Sequence, residues 1–424
     1  MRARAADAVF LLVVLAGGAI RVWGASIGGD VADVSAYRHH IFIVESGRGI
    51  YQTEARFPYF PGWLGVELGV WHVSQILDMQ FWWLIRIVIV LADVANCFAI
   101  RWVAASTQGT DRARIAGMVY ALAPIAIIIS GHHGQFDALP GLLALVAVGL
   151  VVRGKRPVVA GLLLGGALAL KPFPALLIPV ILRAPEMSVR ARLAVCAVAG
   201  SVVLAVSAPF LLVDALAMYS NIAGYGGLND QGFGGILRSL WLIRADNVYL
   251  PGAFGQEIST TTRWLTLALM AAALSWLWRA STTRVAAAMF MIFVVSFGAV
   301  STQYLIWPLP WLLVANVSLA LPILYAIGAA LGAIGFYLVY WPAMILPATQ
   351  IRPPALQFVP TFVATQVVAW LVMISMCVGT LRPPAMTRVS RWLFYLCLVA
   401  IALAARPIVD QMNWYITEWI KFRQ

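Results

Sequence analysis

Charged and hydrogen-bonding side chains occur in a few short clusters within an otherwise apolar chain. The residues whose types could do chemistry are Asp30, Asp33, Arg38, His39, His132, His133, Gln135, Asp137, Lys171, Gln303 and Tyr304. A carboxylate of this kind can act as a general base, and a lysine ammonium can hold an anion such as phosphate. Ionisable groups next to apolar segments are costly and mark function by default, although connecting loops also simply hold polar residues.

The composition shows which solvent surrounds the chain. Its 424 residues are 62% hydrophobic and 11% charged, whereas soluble domains contain about 25% charged residues. So few charges cannot cover a globular surface, which excludes a soluble enzyme and a disordered chain. The four cysteines lie in apolar runs without CxxC or metal-ligand spacing, which excludes a disulfide scaffold. The sequence therefore predicts an all-α polytopic integral membrane protein.

Apolar runs give the approximate positions of the membrane spans. They cover residues 8–24, 82–104, 114–130, 138–152, 191–213, 262–279, 285–300, 304–321, 322–341, 357–381 and 391–409. Since a helix needs about 20 residues to cross a core of ~30 Å, we expect about 11–13 transmembrane helices in all. In the second run, Arg86 and Asp93 share one helix face, which favours packing against a polar partner.

Basic residues divide the connections into two sets. Sixteen of the 29 lysines and arginines lie within 2–4, 101–114, 153–156, 183–192, 279–284 and 382–391. Cytoplasmic connections carry such an excess, so we expect these places and the N-terminus in the cytoplasm. The opposite set is then extracytoplasmic, namely 25–80, 131–137, 214–261, 301–303, 342–356 and the tail 410–424. The net charge of +12 is dispersed in this way and forms no stripe for nucleic acid.

Residues 157–183 have basic flanks on both sides but are too short for two full crossings, which need about 40 residues. We expect two short helices or a re-entrant hairpin, broken at Lys171-Pro172-Phe173-Pro174. A broken backbone at membrane depth is tolerated where it is buried in protein or lines a wet cavity. The pattern therefore predicts that Lys171 points into a cavity.

The first external segment, 25–80, contains an amphipathic stretch at 57–77 that we expect to lie along the membrane interface. If this stretch crossed the membrane instead, all the assignments of sidedness would invert. The external connection 214–261 contains the glycine-rich run 224–235, which indicates a mobile lid or a sugar platform, or else an ordinary connector.

Several of these segments together resemble a known group of membrane enzymes. Residues 28–40 (GGDVADVSAYRHH) carry an Asp-x-x-Ala-x-Arg-His pattern at Asp33, Ala36, Arg38 and His39. Tyr59-Phe60-Pro61 loosely matches a Tyr-Pro-Pro element, and 133–137 (HGQFD) matches His-Phe-Gln-Tyr-Asn with Gly and Asp replacing Phe and Asn. The order of these motifs resembles the GT-C glycosyltransferases, especially the lipid-linked-oligosaccharide glucosyltransferases. Residues 300–307 (VSTQYLIW) look like a run of the GPI mannosyltransferases, another GT-C group.

The resemblance implies a GT-C-like fold and transfer of a hexose, mannose or glucose, from a polyprenyl-phosphate donor to an extracytoplasmic glycan, lipid or protein acceptor. In that reading the reaction inverts the sugar, Asp33 is the general base, and Lys171 binds the donor phosphate with help from Arg38 and His39. Asp30, His132, His133, Gln135, Asp137, Gln303 and Tyr304 line the substrate site. We expect no metal ion, other cofactor or nucleic acid, and a multi-pass protein of the cell membrane.

Some alternatives remain open at this point. Asp33 could be a helix N-cap, and Lys171 could snorkel to the interface. The residues around 132–137 could tie loops together instead of lining a sugar site. For the domain organisation, we expect residues 1–213 to form a catalytic module and residues 214–424 a variable module that accepts the isoprenoid tail. A secondary transporter or lipid flippase is the rival function, because broken helices also build substrate sites there.

Overall fold

The computed structural model of the protein describes residues 2–30, 33–53, 57–245, 252–345 and 355–381. The predicted span 391–409 and the tail 410–424 lie outside these residues. The described part is all-α, and its sole β contact is an isolated antiparallel bridge between Gln231 and Val300. The prediction of an all-α membrane protein is thus confirmed.

The first half of the chain runs from α1 to α10. Its α-helices are Arg2–Gly28 (α1), Asp33–Glu45 (α2), Pro61–Ile76 (α3), Phe81–Gln108 (α4), Thr110–Ala121 (α5), Pro124–Ala126 (α6), Ala138–Val152 (α7), Pro157–Leu170 (α8), Ile178–Leu182 (α9) and Val189–Ile222 (α10). Helix α6 continues as the π-helical turns Ile127–His133, and 3₁₀ turns occur at Ile50–Gln52 and Phe173–Leu177.

The second half contains α11 to α17. Its α-helices are Gly232–Ala245 (α11), Gly252–Trp276 (α12), Thr282–Ser296 (α13), Pro308–Val314 (α14), Ala320–Tyr340 (α15), Pro342–Ile345 (α16) and Val359–Leu381 (α17), with 3₁₀ turns at Thr302–Ile306 and Leu356–Phe358. The predicted boundary at 213/214 falls on a kink in α10 at Asp214. Much of the predicted loop 214–261 is helical, because α10 extends to Ile222 and α11 follows at Gly232.

Five helices in the described residues are long and apolar enough to cross a membrane: Arg4–Gly28, Phe81–Gln108, Val189–Ile222, Ala320–Tyr340 and Leu356–Leu381. The pair Thr110–Ala121 and Pro124–His133, bent by 45°, makes a sixth if it is one broken span. Other predicted spans form shorter apolar helices, such as α7 and α13. The predicted span 304–321 is wrong as one helix, because a 3₁₀ turn precedes α14, α14 ends at Val314, and α15 begins only at Ala320.

The segment 157–183 breaks where the sequence predicts. Helix α8 ends at Leu170, Lys171 adopts an extended conformation, and a 3₁₀ turn leads into the short α9. Pro172 and Pro174 cannot donate backbone hydrogen bonds to a continuing helix, which explains the break. Helix α3, predicted to lie along the interface, has 16 residues and is shorter than the about 20 that a full crossing needs.

The two predicted sets of connections meet at opposite ends of the helices. At one end, Asp7 pairs with Arg101 and Arg114, and Arg183 donates to the carbonyl of Trp278. At the other end, termed the site end here, segments 29–30, 131–137, 225–231, 301–304 and 344 come together, as the contacts described below show. The grouping by charge is therefore reproduced in space.

Inside the bundle, an ion pair joins α1 to α4. The Arg21 Nε donates to the Asp93 carboxylate at 2.6 Å, and both side chains are fully buried. The Tyr120 hydroxyl donates to the other Asp93 oxygen at 2.5 Å, while Arg21 also donates to the backbone carbonyls of Gly17 and Ala121. Asp93 and Arg86 thus have separate partners, and Arg21 is a structural residue of the helix bundle.

We predict that Asp93→Asn lowers the free energy of unfolding by about 3–5 kcal/mol, because it leaves the Arg21 charge buried without a counter-charge. Unfolding in mixed detergent micelles, titrated with SDS and followed by circular dichroism, measures the change. Asp7→Asn is the matched control and should change stability much less, since water screens its pairs with Arg101 and Arg114. Equal losses in the two variants would contradict the prediction.

Candidate active site

Asp33 is the first residue of α2, and its carboxylate is held by a histidine from another element. The His133 Nε2 lies 2.7 Å from the Asp33 Oδ2, and the Tyr337 hydroxyl of α15 lies 2.6 Å from the His133 Nδ1. Because a carboxylate only accepts hydrogen bonds, Nε2 carries the proton that is shared with Asp33. About a third of the Asp33 side chain is exposed, whereas the His133 side chain is 9% exposed. The hydrogen bonds from Tyr337 to His133 and from His133 to Asp33 therefore hold a carboxylate that remains partly exposed.

Opposing effects set the protonation of Asp33. Burial raises the pKa of its carboxyl, but the hydrogen bond and charge of His133, the Gln135 amide and the charge of Lys171 lower it by more, so the pKa ends below its usual value. The carboxylate is thus ionised at neutral pH and can accept a proton. The charge of Lys171 thus acts electrostatically on Asp33.

Arg86 positions His133. Its guanidinium donates to the carbonyls of Gly131 at 3.0 Å, His132 at 2.9 Å and, from the other side, Gly29 at 2.9 Å. The π-helical turns 127–133 end at Gly134, which has a φ of +80°, and a Cβ there would lie 2.9 Å from Arg86. Glycine at this position, where the resembled motif has Phe, therefore allows Arg86 to reach the turn.

A second cluster surrounds Lys171, which lies between α8 and the following 3₁₀ turn. Its ammonium lies 2.7 Å from the Asp137 Oδ2, and both side chains are buried. The Trp307 indole donates to the other Asp137 oxygen. Phe136 and Tyr59 present their rings to the ammonium, with centroids at 4.7 and 5.4 Å. The charge of Lys171 is thus balanced by Asp137 and by two aromatic faces.

A cavity of about 260 Å³ opens beside Lys171. Its lining includes the predicted residues Gln303 and Tyr304, and the rings of Tyr59, Phe293 and Trp307. Trp307 is stacked between Phe173 and Tyr304, with ring centroids at 4.3 and 4.0 Å. We refer to this space as the aromatic cavity. A cation at one end and flat apolar walls suit a ligand with an anionic group and a sugar ring or lipid stem.

Gln135 and Phe136 lie between the two clusters. Phe136 is fully buried and stacks on Trp63 with centroids 3.6 Å apart. Gln135 is also fully buried, and neither of its amide atoms has a partner with full hydrogen-bond geometry in the described residues. A buried amide needs polar partners, and the Asp33 carboxylate, whose pKa this amide helps to lower, is one of them.

Arg38 and His39, predicted to bind the donor phosphate, lie away from both clusters. The Arg38 side chain is 57% exposed and forms an ion pair with Asp30, and His39 is exposed and stacks against Phe42. Helix α2 starts at Asp33, so positions five and six residues later point to a different side from Asp33. In the described residues, Arg38 and His39 make no contact with Asp33 or Lys171, and Asp30 pairs with Arg38.

His132 ties two elements together. Its Nε2 forms a hydrogen bond with the backbone carbonyl of Met344 in α16. Of the adjacent histidines, only His133 faces Asp33, as expected for neighbours in a helical turn. The sequence analysis missed the roles of three site residues. Arg86 binds the backbone carbonyls next to His133, Trp307 donates a hydrogen bond to Asp137, and Tyr337 contacts His133. Trp307 could have been found, because it ends the motif at 300–307, but Tyr337 lies in a plain apolar run.

The glycine-rich run 224–235 is anchored to the rest of the protein. Asp230 is buried and pairs with Arg238 at 2.5 Å, and Gln231 donates from its backbone to the Val300 carbonyl at 2.9 Å. Burial raises the pKa of the Asp230 carboxyl to about 6, against the opposing effect of Arg238. This run forms one wall of the aromatic cavity through Tyr225 and Gly227.

In the part of the chain that the structure describes, no three His, Cys, Asp or Glu side chains come together as a group that could hold a metal ion. The observed donors are instead engaged in pairs, Asp33 with His133 and Asp137 with Lys171. The arrangement provides one ionised, accessible carboxylate and one buried ammonium beside a cavity. Such groups can deprotonate a hydroxyl and stabilise an anionic leaving group.

Comparison with known proteins agrees with this chemistry. No curated protein matches the chain. The model of glycosyltransferase family 87 matches residues 62–308, which is more than half of the chain and includes Asp137, Lys171 and Trp307. Helices α1 and α2, with Asp33, precede the matched region. The chain therefore belongs to glycosyltransferase family 87, a family of GT-C-like membrane glycosyltransferases.

Proposed function

We propose that the protein transfers a hexose from a polyprenyl-phosphate donor to an extracytoplasmic acceptor, with inversion at the sugar. The observation that carries this proposal is the combination of an ionised, partly exposed carboxylate, Asp33, with a buried ammonium at the aromatic cavity, Lys171, whose charge lowers the pKa of Asp33. Family membership supports the transferase activity, and the choice of a hexose and of a polyprenyl-phosphate donor rests on the motifs that hold Asp33 and His133.

Asp33 acts as the general base. An acceptor hydroxyl must lose its proton while the new glycosidic bond forms, and an exposed carboxylate that is ionised can accept it. His133 orients the carboxylate and Tyr337 orients His133, so the accepting oxygen has a fixed direction. The exposed part of the Asp33 carboxylate can then meet the acceptor hydroxyl while His133 and Tyr337 stay in place.

Lys171 stabilises the departing phosphate. An ammonium has three donors, and one of them is directed at Asp137, which leaves the others for phosphate oxygens at the aromatic cavity. Gln303, Tyr304 and the cavity rings would hold the sugar and the first part of the lipid stem. The sidedness of the basic residues favours an active site on the extracytoplasmic face of the cell membrane, with the N-terminus in the cytoplasm.

An inverting reaction requires one free carboxylate, whereas a retaining reaction uses a second as the nucleophile. Both Asp137 oxygens are engaged, one by Lys171 and one by Trp307. Asp33 is therefore the carboxylate that remains for chemistry at this site, which supports inversion. A transporter or flippase would need no such base, and uptake or flipping without sugar transfer would favour that rival.

We predict that Asp33→Asn lowers the turnover number by about 10²–10⁴-fold, the usual contribution of a general base. The assay is transfer of labelled hexose from synthetic polyprenyl-phosphate mannose or glucose in detergent. Asp111→Asn, at the other end of the bundle and exposed, is the control that should keep full activity. An Asp33→Asn enzyme as active as the wild type would exclude this residue as the base.

His133→Gln should move the acid limb of the pH profile of kcat/KM to higher pH. Asp33 must be ionised, so activity falls as the pH drops through its pKa, which lies below the ordinary 3.8 in the native protein. Glutamine removes the positive charge that lowers this pKa, and burial then raises it. Tyr337→Phe leaves the His133 contact to Asp33 intact and should not move the limb. An unmoved limb in His133→Gln would contradict the assignment.

Lys171 and Asp137 can be tested as a pair. Lys171→Met alone should reduce stability and weaken donor use, because Asp137 stays buried without its cation. The double variant Lys171→Met/Asp137→Asn should regain much of the stability but not the affinity for the donor. Thermal unfolding and the KM for polyprenyl-phosphate hexose separate the two effects. Recovery of both in the double variant would show that Lys171 has a structural role only.

A further inference from the structure

A second cavity, of about 380 Å³, lies beside the aromatic cavity. It lies between the end of α10 at Ser220 and Asn221, the run 224–229, and the start of α12 at Gln256 and Ser259. The two cavities share Pro58, Tyr225 and Gly227 as a common wall. We refer to this second space as the polar groove.

The lining of the polar groove differs chemically from that of the aromatic cavity. Its described side chains with polar groups are amides and hydroxyls, from Asn221, Asn229, Gln256, Tyr225 and two serines, and backbone groups of the glycine-rich run add more. None of the described lining residues carries a charge. Amides and hydroxyls both donate and accept hydrogen bonds, as sugar hydroxyls do, whereas an anionic ligand would call for a cation in the lining.

The groove is held in a fixed position relative to the site. The Asn221 amide donates to the Tyr51 carbonyl at 3.0 Å, and its oxygen accepts from the Phe57 backbone at 3.4 Å. The Tyr51 hydroxyl donates to the Tyr59 carbonyl at 2.7 Å, and the Tyr59 ring faces Lys171. A ligand in the groove therefore lies in a defined position next to the cavity that contains Lys171.

We propose that the polar groove binds the acceptor, and that the part it binds is an uncharged sugar chain. This inference rests on the proposed function, since it assigns one of the two adjacent cavities to each substrate of the transfer. The donor occupies the aromatic cavity beside the cation, and the acceptor chain occupies the uncharged groove. The shared wall at Tyr225 and Gly227 is then the border between the two substrates.

Gly226 gives direct access to the groove for an experiment. It lines the groove, and a Cβ added there would meet no atom within 4 Å. Gly69 on α3 is a matched position, because a Cβ there also meets nothing within 4 Å and Gly69 does not line the groove. Substitutions at both sites should leave the fold intact, so differences between them report on the groove.

The first experiment needs no transferase activity. Gly226→Cys and Gly69→Cys are alkylated with a maleimide in detergent, and the rate at each residue is followed by peptide mass spectrometry. Mannotetraose or maltotetraose should slow alkylation at residue 226 several-fold and leave residue 69 unchanged, whereas tetragalacturonic acid should protect neither. Absence of protection at 226, equal protection at both residues, or protection by the acidic chain alone would overturn the proposal.

The second experiment separates the two substrates during transfer. Gly226→Leu should raise the KM for an octyl oligomannoside or oligoglucoside acceptor several-fold, with the KM for the polyprenyl-phosphate donor unchanged, while Gly69→Leu changes neither. An unchanged acceptor KM, or equal increases for donor and acceptor, would overturn the assignment of the groove. If Asp33→Asn keeps full activity, the proposed base fails, but the alkylation result still decides whether the groove binds sugar.

Discussion

The fully buried guanidinium of Arg86 is the contact on which the geometry of the site depends. It donates to carbonyls from both the end of α1, at Gly29, and the π-helical turns, at Gly131 and His132. The last carbonyls of a helical segment have no partner within it, and an arginine can bind several of them with its planar fork of donors. His133 is the last residue of that turn, so its approach to Asp33 follows from the arginine. The short glycine at 134 makes room for this arrangement.

Burial of Lys171 imposes a second constraint. A lysine ammonium in a low-dielectric interior requires a counter-charge, and Asp137 at the start of α7 provides it. The break after Leu170 turns the chain so that the ammonium reaches Asp137 and the cavity at the same time. If α8 continued past Leu170, the Lys171 side chain would lie on the helix surface, and nothing would direct its ammonium toward Asp137 and the cavity. Pro172 and Pro174, which end α8, therefore also determine where the Lys171 ammonium lies.

The sequence was informative where a physical limit left few choices. The length of 157–183 and its prolines required a break, and the alternation of basic segments predicted which connections meet at each end. Arg38 and His39 lie on a different side of α2 from Asp33, because a helix that begins at Asp33 turns by about 100° per residue, which linear spacing in a motif does not show. The role of Arg86 could not be predicted, since backbone carbonyls have no signature in the sequence. Tyr337 was missed because only the packing of α15 against the π-helical turns gives it a partner.

Asp33 and Asp137 show how the partners of a carboxylate decide whether it can react. One oxygen of Asp137 accepts from the Lys171 ammonium and the other from the Trp307 indole N–H, so this carboxylate fixes the positions of both side chains. Asp33 is held by the His133 imidazole, and about a third of its side chain is exposed. If Asp137 were the partly exposed carboxylate and Asp33 the buried one, Lys171 would have no buried counter-charge and Asp33 could not act as the accessible base. The inversion that we propose would follow from this pairing, because the contact that balances the buried Lys171 ammonium also occupies Asp137, the second carboxylate that a retaining reaction would need.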